Sequence, residues 1–368
     1  MKLFLTTTFL FIAFCGGPQV LAEKPAPGPE LVWHDGAQLG LEGRGWTTDD
    51  LESPYDRLPS KAQNIVRGAV WNLSRHSAGL CFRFNTDATK FTIKYSLGSS
   101  RIAMAHMPAT GVSGIDLYAL APDGKWRWVN VSRPSGQEVE FKLEGLDAGK
   151  RTYMAYLPLY NQVTKLEVGI PKGNVFEPVA PRREKPILFY GTSITHGASA
   201  SRPGMAHPAI LGRRLDRPVI NLGFSGNGKM EPEVGALLAE LNPEVYVIDC
   251  LPNMTESEVV ENAEALVQII RVSRPETPIV LVEDRTYANS WIHISKRLRH
   301  EGSRGAQLKA FDNLVSSGVK NIYYLEGENL LGEDGEGTTD GSHPNDLGFM
   351  RQADAMEPLL TRILATEK

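Results

Sequence analysis

Two rhythms divide the chain. From about residue 30 to 175, apolar and polar residues alternate in short runs broken by Gly, Pro, Asn and Asp: LCFRFNTDATKFTIKYSL, GIDLYALAPDGKWRWVNV, QEVEFKLEGLDAGKRTYMAYLPL and VTKLEVGI. Such alternation predicts strands with one buried face. In FTIKYSL the residues Phe91, Ile93 and Tyr95 share a face, and Asp123-Gly124 sits between two runs as a hairpin turn would. This half is expected to be a β-sandwich. After FEPVAPRREKP, a stretch rich in proline and charge without periodicity, the pattern changes. Apolar runs (ILFYG from 187, VINLG from 219, VYVIDC from 245, IVLVED from 279, IYYLEG from 322) now alternate with segments of helical period such as EVGALLAELN and ESEVVENAEALVQIIRVS. Strands alternating with helices predict a mainly parallel sheet of five strands, doubly wound, with helices on both faces.

The resulting layout is a leader over residues 1–22, a β-sandwich over 23–178, a linker over 179–185 and an α/β domain over 186–368. The leader reading rests on basic Lys2, an apolar stretch from Leu3 to Phe14 and small Ala22, the pattern of an export signal. That stretch is shorter than the ~20 residues that span a bilayer, so no stable membrane insertion is expected and the protein should be exported, to a periplasm or beyond. Cys15 raises the alternative of a lipid-modified cysteine, but Phe14 is large where that processing wants a small residue. With cleavage after Ala22 only Cys81 and Cys250 remain, one in each half, which suits buried small hydrophobes better than a disulfide.

Composition narrows the function classes. With 42% hydrophobic residues, 22% charged residues and a net charge of −4, the chain reads as an ordinary globular protein, and without runs of Lys or Arg it has no footprint for nucleic acid. No HExxH or CxxC spacing occurs and the histidines are scattered, so neither a metal nor another cofactor is expected.

The candidate chemistry lies at the strand ends, where open α/β sheets bind ligands: Ser193 in FYGTSITHG, Gly226 in NLGFSGNG, Asn253 in DCLPNM, and Asp340 with His343 in TTDGSHPN. A serine hydroxyl becomes a useful nucleophile when a histidine takes its proton, and that histidine is oriented by a third group. Asp340 and His343 could supply orienter and base from one loop. The N–H groups of Ser193 and Gly226 and the amide of Asn253 could stabilise the oxyanion that forms. Pro344 suits a first helical position, which would put His343 at a helix N-terminus, where protonation is disfavoured unless Asp340 compensates. His196, Arg202 and His207 follow Ser193 closely and are candidates for substrate contact, Arg202 foremost.

These four blocks, in this order across residues 186–363, resemble the SGNH (GDSL-type) hydrolases. The resemblance implies a flavodoxin-like doubly wound sheet, with Ser193 as nucleophile, Gly226 and Asn253 as oxyanion donors, His343 as base and Asp340 as its supporting acid. Two positions depart from the common pattern: Thr192 stands where an Asp often precedes the nucleophile, and LPNM replaces a Gly-rich segment ending Asn-Asp. GIDLY at Gly114–Tyr118 matches the motif of a subgroup with an N-terminal β domain, which extends the resemblance over most of the chain. What it implies is an esterase that removes acetyl or similar small acyl groups from carbohydrate. A lipase or thioesterase acting on longer chains is the alternative within the family, and a catalytically silent carbohydrate-binding protein the alternative outside enzymology. Ser193 could instead cap the following helix, and Asp340 could cap the last one or shape a turn. Trp126 and Trp128 in KWRWV share a face and could be a sugar platform or packing.

Overall fold

The computed structural model describes residues 29–366; the leader and Cys15 lie outside the described residues. Among the described residues nine strands form the N-terminal half: β1 (Leu31–Asp35), β2 (Cys81–Thr86), β3 (Phe91–Leu97), β4 (Asp116–Leu120), β5 (Trp126–Val131), β6 (Glu138–Leu143), β7 (Arg151–Tyr156), β8 (Val163–Pro171) and β9 (Phe176–Val179). They make two antiparallel sheets, β1-β8-β3-β6 and β5-β4-β7-β2-β9. The alternation read from the sequence is what closes the sandwich. Phe91, Ile93, Tyr95 and Leu97 of β3 are buried against Phe82 and Phe84 of β2 and Tyr153 of β7. Across the gap Phe84 meets Phe91 edge-on, ring centroids 5.5 Å apart, the geometry an aromatic quadrupole favours. The Asp123-Gly124 hairpin is present, with Gly124 at φ +76° and its N–H donating to Ala121 O.

One stretch breaks the strand rhythm. Between β1 and β2 the chain forms a 3₁₀ turn (Ser60–Asn64) and a helix, α1 (Gly68–Ser74), whose residues Val70 and Trp71 join Leu58, Ala62 and Val66 in a core belonging to the C-terminal sheet. Arg57 anchors this excursion. Its buried guanidinium donates to Leu73 O, His76 O, Asn221 O and Gly223 O, and burial pushes its pKa down to about 9. Four carbonyls thus take the place of a carboxylate partner. The proline-rich connection is also tied down. Phe176–Val179 pair with β2 as an edge strand, where Pro178 is tolerated, and Arg182 donates three times to buried Glu42, once from its N–H and twice from its guanidinium.

The C-terminal half contains β10 (Ile187–Gly191), β11 (Val219–Gly223), β12 (Val245–Asp249), β13 (Ile279–Val282) and β14 (Ile322–Leu325), all parallel, in the order β11-β10-β12-β13-β14. All five are the apolar runs expected from the sequence. Their order is 2-1-3-4-5 within the domain, the flavodoxin-like arrangement. β10 shows how both faces are covered. Leu188 and Tyr190 turn to the side covered by α1, α5 (Pro232–Glu240), α6 (Glu256–Ser273) and α7 (Ile294–Ser316), while Ile187 and Phe189 face α4 (His207–Arg214) and α8 (Asp346–Thr366). Two short helices complete the inventory used below, α2 (Ala109–Val112) and α3 (Ser193–His196). Helix ends follow local chemistry: Thr255 and Glu258 form a reciprocal capping box that starts α6. Cys81 and Cys250 are both buried and unpaired, as small hydrophobes. No helix among the described residues is long and apolar enough to cross a membrane.

Candidate active site

The chain order reverses direction around β10, so the loops leaving β10 and β12 part at that point and open a crevice beyond their carboxyl ends. β10 delivers Ser193 there. Thr192, not Ser193, caps α3: its Oγ1 accepts from Ile194 N–H at 3.2 Å. The Ser193 hydroxyl is left for another partner, and lies 2.9 Å from His343 Nε2. His343 Nδ1 in turn is 2.8 Å from Asp340 Oδ2, while Asp340 Oδ1 accepts from the N–H groups of Ser342 (3.0 Å) and His343 (2.8 Å). Asp340 therefore shapes the turn and holds the imidazole at once. Burial alone would raise its pKa, but the N–H donors and the His343 ring outweigh it and hold the carboxyl below its ordinary value.

The last helix starts later than Pro344 suggested. Asn345 Oδ1 accepts from Gly348 N–H and α8 begins at Asp346, whereas Pro344 pairs with Thr338 in an isolated bridge. The loop carrying His343 is backed by β13's exit. Buried Arg285 is paired with buried Asp284, lies over the Tyr287 ring, and donates to Ser342 O and Ser342 Oγ, while Ala288 N–H donates to Gly341 O.

Gly226 lies in the loop after β11, which packs against the residues before Ser193 and bonds Asn253. Gly226 sits at φ +70°, in the left-handed region open to glycine. A Cβ on Gly228 would stand 2.0 Å from Gly191 O, so only glycine lets this loop lie against the residues before Ser193. Asn253 ends the 3₁₀ turn after β12. Its carboxamide is satisfied when its oxygen accepts from Asn227 N–H (3.0 Å) and Gly228 N–H (3.2 Å), which leaves the NH₂ end to donate elsewhere. Among the described residues, the N–H groups of Ser193 and Gly226 have no protein acceptor. The N–H groups of Ser193 and Gly226 and the NH₂ end of Asn253 are thus left without protein acceptors among the described residues, and donors of this kind are what stabilises charge developing on a carbonyl oxygen.

The three residues expected to touch substrate do other work. His196 is 0% exposed, donates from Nε2–H to Leu159 O (2.6 Å), stacks on Tyr160 at 4.1 Å, and is kept neutral first by burial and then by the charge of Arg57. His207 is also 0% exposed, packed between Phe189 and Phe349, with burial pushing its pKa down to about 3. Neither ring can reach a ligand. Arg202 pairs with Asp116 (2.9 Å), bonds Tyr118 OH, and lies 5.2 Å over Trp128. For His196 and His207, nearness to Ser193 in sequence does not mean nearness to a ligand, because the chain turns into the core on both sides of the loop that carries Arg202.

That ion pair gives the GIDLY motif its physical meaning. Asp116, fully buried, accepts from Arg202, Gly204 N–H (2.8 Å) and Trp128 Nε1–H (2.9 Å), so it locks the β domain to the segment following the nucleophile. Trp128 is half exposed, but its indole is committed to this lock. Other β-domain residues reach further, and sequence reasoning passed over them. Tyr160 OH donates to Ser193 O at 3.3 Å, and Thr110 Oγ1 donates to Ser201 O, whose own N–H and hydroxyl bond Asp346 at the start of α8. His106, at the tip of a loop, lies with its ring centroid 6.0 Å from that of His343. Tyr160 and His106 are single residues in loops and Thr110 sits in the four-residue α2, all without period or motif to flag them. Among the described residues no cluster of His, Cys, Asp and Glu is arranged to hold a metal ion.

Comparison with known proteins agrees with this architecture. Residues 184–361 match the profile of the GDSL-like lipase/acylhydrolase family, and residues 31–176 match that of the GxDLY N-terminus of SGNH-hydrolase-type esterases. Curated protein sequences give no match. Among solved structures, one described as a GDSL-like lipase from Bacteroides ovatus ATCC 8483 is 31% identical, over 91% of this chain and 98% of that one, with a TM-score of 0.86. The salicylyl-acyltransferase SsfX3 from a tetracycline biosynthetic pathway is 18% identical over 90% of this chain and 97% of that one, with a TM-score of 0.72. A family two carbohydrate esterase from Clostridium thermocellum, in complex with cellohexaose, is 14% identical over 78% of this chain and 93% of that one, with a TM-score of 0.53. The last two share the fold. The paired matches and the first of these structures establish that the chain belongs to the GDSL-like lipase/acylhydrolase family, the SGNH hydrolases, in the form that carries an N-terminal GxDLY β domain.

Proposed function

We propose that this protein is an exported serine esterase that removes acetyl or similarly small acyl groups from carbohydrate through an acyl-serine intermediate. The observation that carries the reading is the unbroken chain from Ser193 Oγ through His343 to Asp340, at 2.9 and 2.8 Å. Ser193 attacks the ester carbonyl as His343 Nε2 takes the hydroxyl proton, and Asp340 holds the ring and stabilises its charge. The N–H groups of Ser193 and Gly226 and the Asn253 amide receive the oxyanion. The intermediate then collapses: the bond to the leaving alcohol breaks, and the alkoxide takes the proton from His343. Water, deprotonated by His343, attacks the acyl-serine, and the same steps release acid and free serine.

Support for a saccharide ester comes from the fold shared with a carbohydrate esterase seen with cellohexaose, and from a site walled by both domains. Support for export is the pattern of residues 1–22 alone. The test is hydrolysis of p-nitrophenyl acetate and acetate release from acetylated oligosaccharides by wild type and Ser193→Ala. Activity on both by wild type, with a loss on the order of 10⁴–10⁶-fold in the variant, is the expected result. A variant as active as wild type would overturn the assignment of Ser193. A series of p-nitrophenyl esters of rising acyl length should show turnover falling beyond short chains; a rise with length would favour a lipase.

A further inference from the structure

The catalytic histidine has a neighbour from the other domain. The β-domain turn Met104–Met107 closes on itself, with Met104 N–H donating to Met107 O (3.0 Å) and Met107 N–H to Met104 O (3.1 Å). It is anchored, not free. Met107 is buried in the α/β core beside Phe189 and Ile194. Just beyond it, Gly111 packs so tightly on Ala200 that a Cβ would stand 2.3 Å from Ala200 O. Thr110 is bonded to Ser201, which is bonded to Asp346. The turn therefore has a fixed position relative to the His343 loop. At its tip His106 is exposed, its ring inclined 29° to that of His343, and its ring nitrogens make no hydrogen bond within the described residues.

The course of the reaction gives this position a meaning. A leaving alcohol receives its proton from His343 Nε2 and must lie within hydrogen-bond reach of it. The alcohol side of the ester thus passes beside the imidazole that lies against His343. We propose that His106 forms a leaving-group subsite contributed by the β domain, in which its free ring nitrogens hydrogen-bond a hydroxyl of the alcohol moiety next to the scissile ester. An alcohol with neighbouring hydroxyls, as in a saccharide, fits two unpartnered polar nitrogens; an aryl or alkyl alcohol leaves them in water. His106 here is a specificity residue. It takes no proton in the chemistry, and the inference rests on the esterase reading for the orientation of the substrate.

The experiment compares wild type, His106→Ala and His106→Gln on a mono-acetylated methyl glycoside and on p-nitrophenyl acetate, whose alcohol has no second hydroxyl. The ratio of kcat/KM for the glycoside to that for the aryl ester should fall about 3- to 10-fold in His106→Ala, the range of one hydrogen bond, mainly through KM. His106→Gln, which keeps a donor and an acceptor, should recover much of it. An unchanged ratio, whether both substrates suffer equally or neither does, would overturn the subsite. A second arm is independent of turnover: binding of the same glycoside, by calorimetry, to Ser193→Ala and to Ser193→Ala/His106→Ala should differ by a similar factor. If Ser193→Ala still hydrolyses at the wild-type rate, the assignment of Ser193 falls, and the kcat/KM ratio of His106→Ala alone decides for or against His106.

Discussion

The two halves of the molecule hold the site by different means. On the α/β side the contacts are made at close quarters to backbone: the Gly228 loop lies on Gly191, Phe224 N–H donates to Gly191 O, and the Asn253 carboxamide is held by two N–H groups of the loop after β11. On the β side they are single side chains that cross the interface: Arg57 into the carbonyls of β11, Tyr160 under Ser193, Asp116 on Arg202, His106 against His343. Reacting groups are thus set by close local geometry that tolerates few residue types. The surrounding frame is set by long-range polar contacts, each of which another residue pair could have made. Changes on the first side should alter rate, and changes on the second should alter stability first.

On the rate side, and after Ser193 itself, the largest expected effect is that of Asp340→Asn, which keeps the shape of the turn but no longer fixes the His343 tautomer. We expect kcat to fall about 10³–10⁴-fold with little change in thermal stability, measured by steady-state kinetics alongside a melting curve. On the frame side, Arg57→Met strands four carbonyls, those of Asn221 and Gly223 fully buried, and should cost about 3–5 kcal/mol of stability, seen as a lower denaturation midpoint. If kcat at 25 °C falls as steeply as stability does, the division between the two halves is wrong. Asn253→Ala removes one of three oxyanion donors and should lower kcat about 10²–10³-fold, leaving KM nearly unchanged.

The smallest effect concerns pH. Asp249, buried at the end of β12 and bonded by Thr195, has its pKa raised to about 7, chiefly by burial and also by nearby Asp284. The folded protein therefore holds this proton more tightly than the unfolded chain. Its contribution is complete below about pH 4 and is lost as pH rises to about 7. Asp249→Asn should remove that slope and gain about 1 kcal/mol or more over wild type at pH 8 relative to pH 5, read from melting temperatures at the two values. An equal difference at both pH values would contradict the assignment.

What could be read from the sequence follows the same division. The five strands of the C-terminal sheet are runs of consecutive apolar residues, and Ser193, Gly226, Asn253, Asp340 and His343 sit in compact motifs at their ends, so chain order alone brings them to one rim. The sandwich strands announce themselves by alternation, as Phe91, Ile93 and Tyr95 do. The helix at Gly68–Ser74 went unnoticed because seven residues give too little periodicity, and because its partners, Ile220 and Leu222, lie some 150 positions away. Arg57, His106 and Tyr160 act through contacts made only after folding. His196 and His207 were misjudged for the converse reason: close to Ser193 along the chain, they are carried by helices that turn them inward.

The most direct test of the account is labelling of the folded protein with a fluorophosphonate, followed by peptide mass spectrometry, in wild type, Asp340→Asn and His343→Ala. The account predicts one modified residue, Ser193, labelled rapidly in wild type and orders of magnitude more slowly when either partner is changed. Labelling of Ser193 at the same rate in all three proteins, or esterase activity that survives full modification of Ser193, would contradict it.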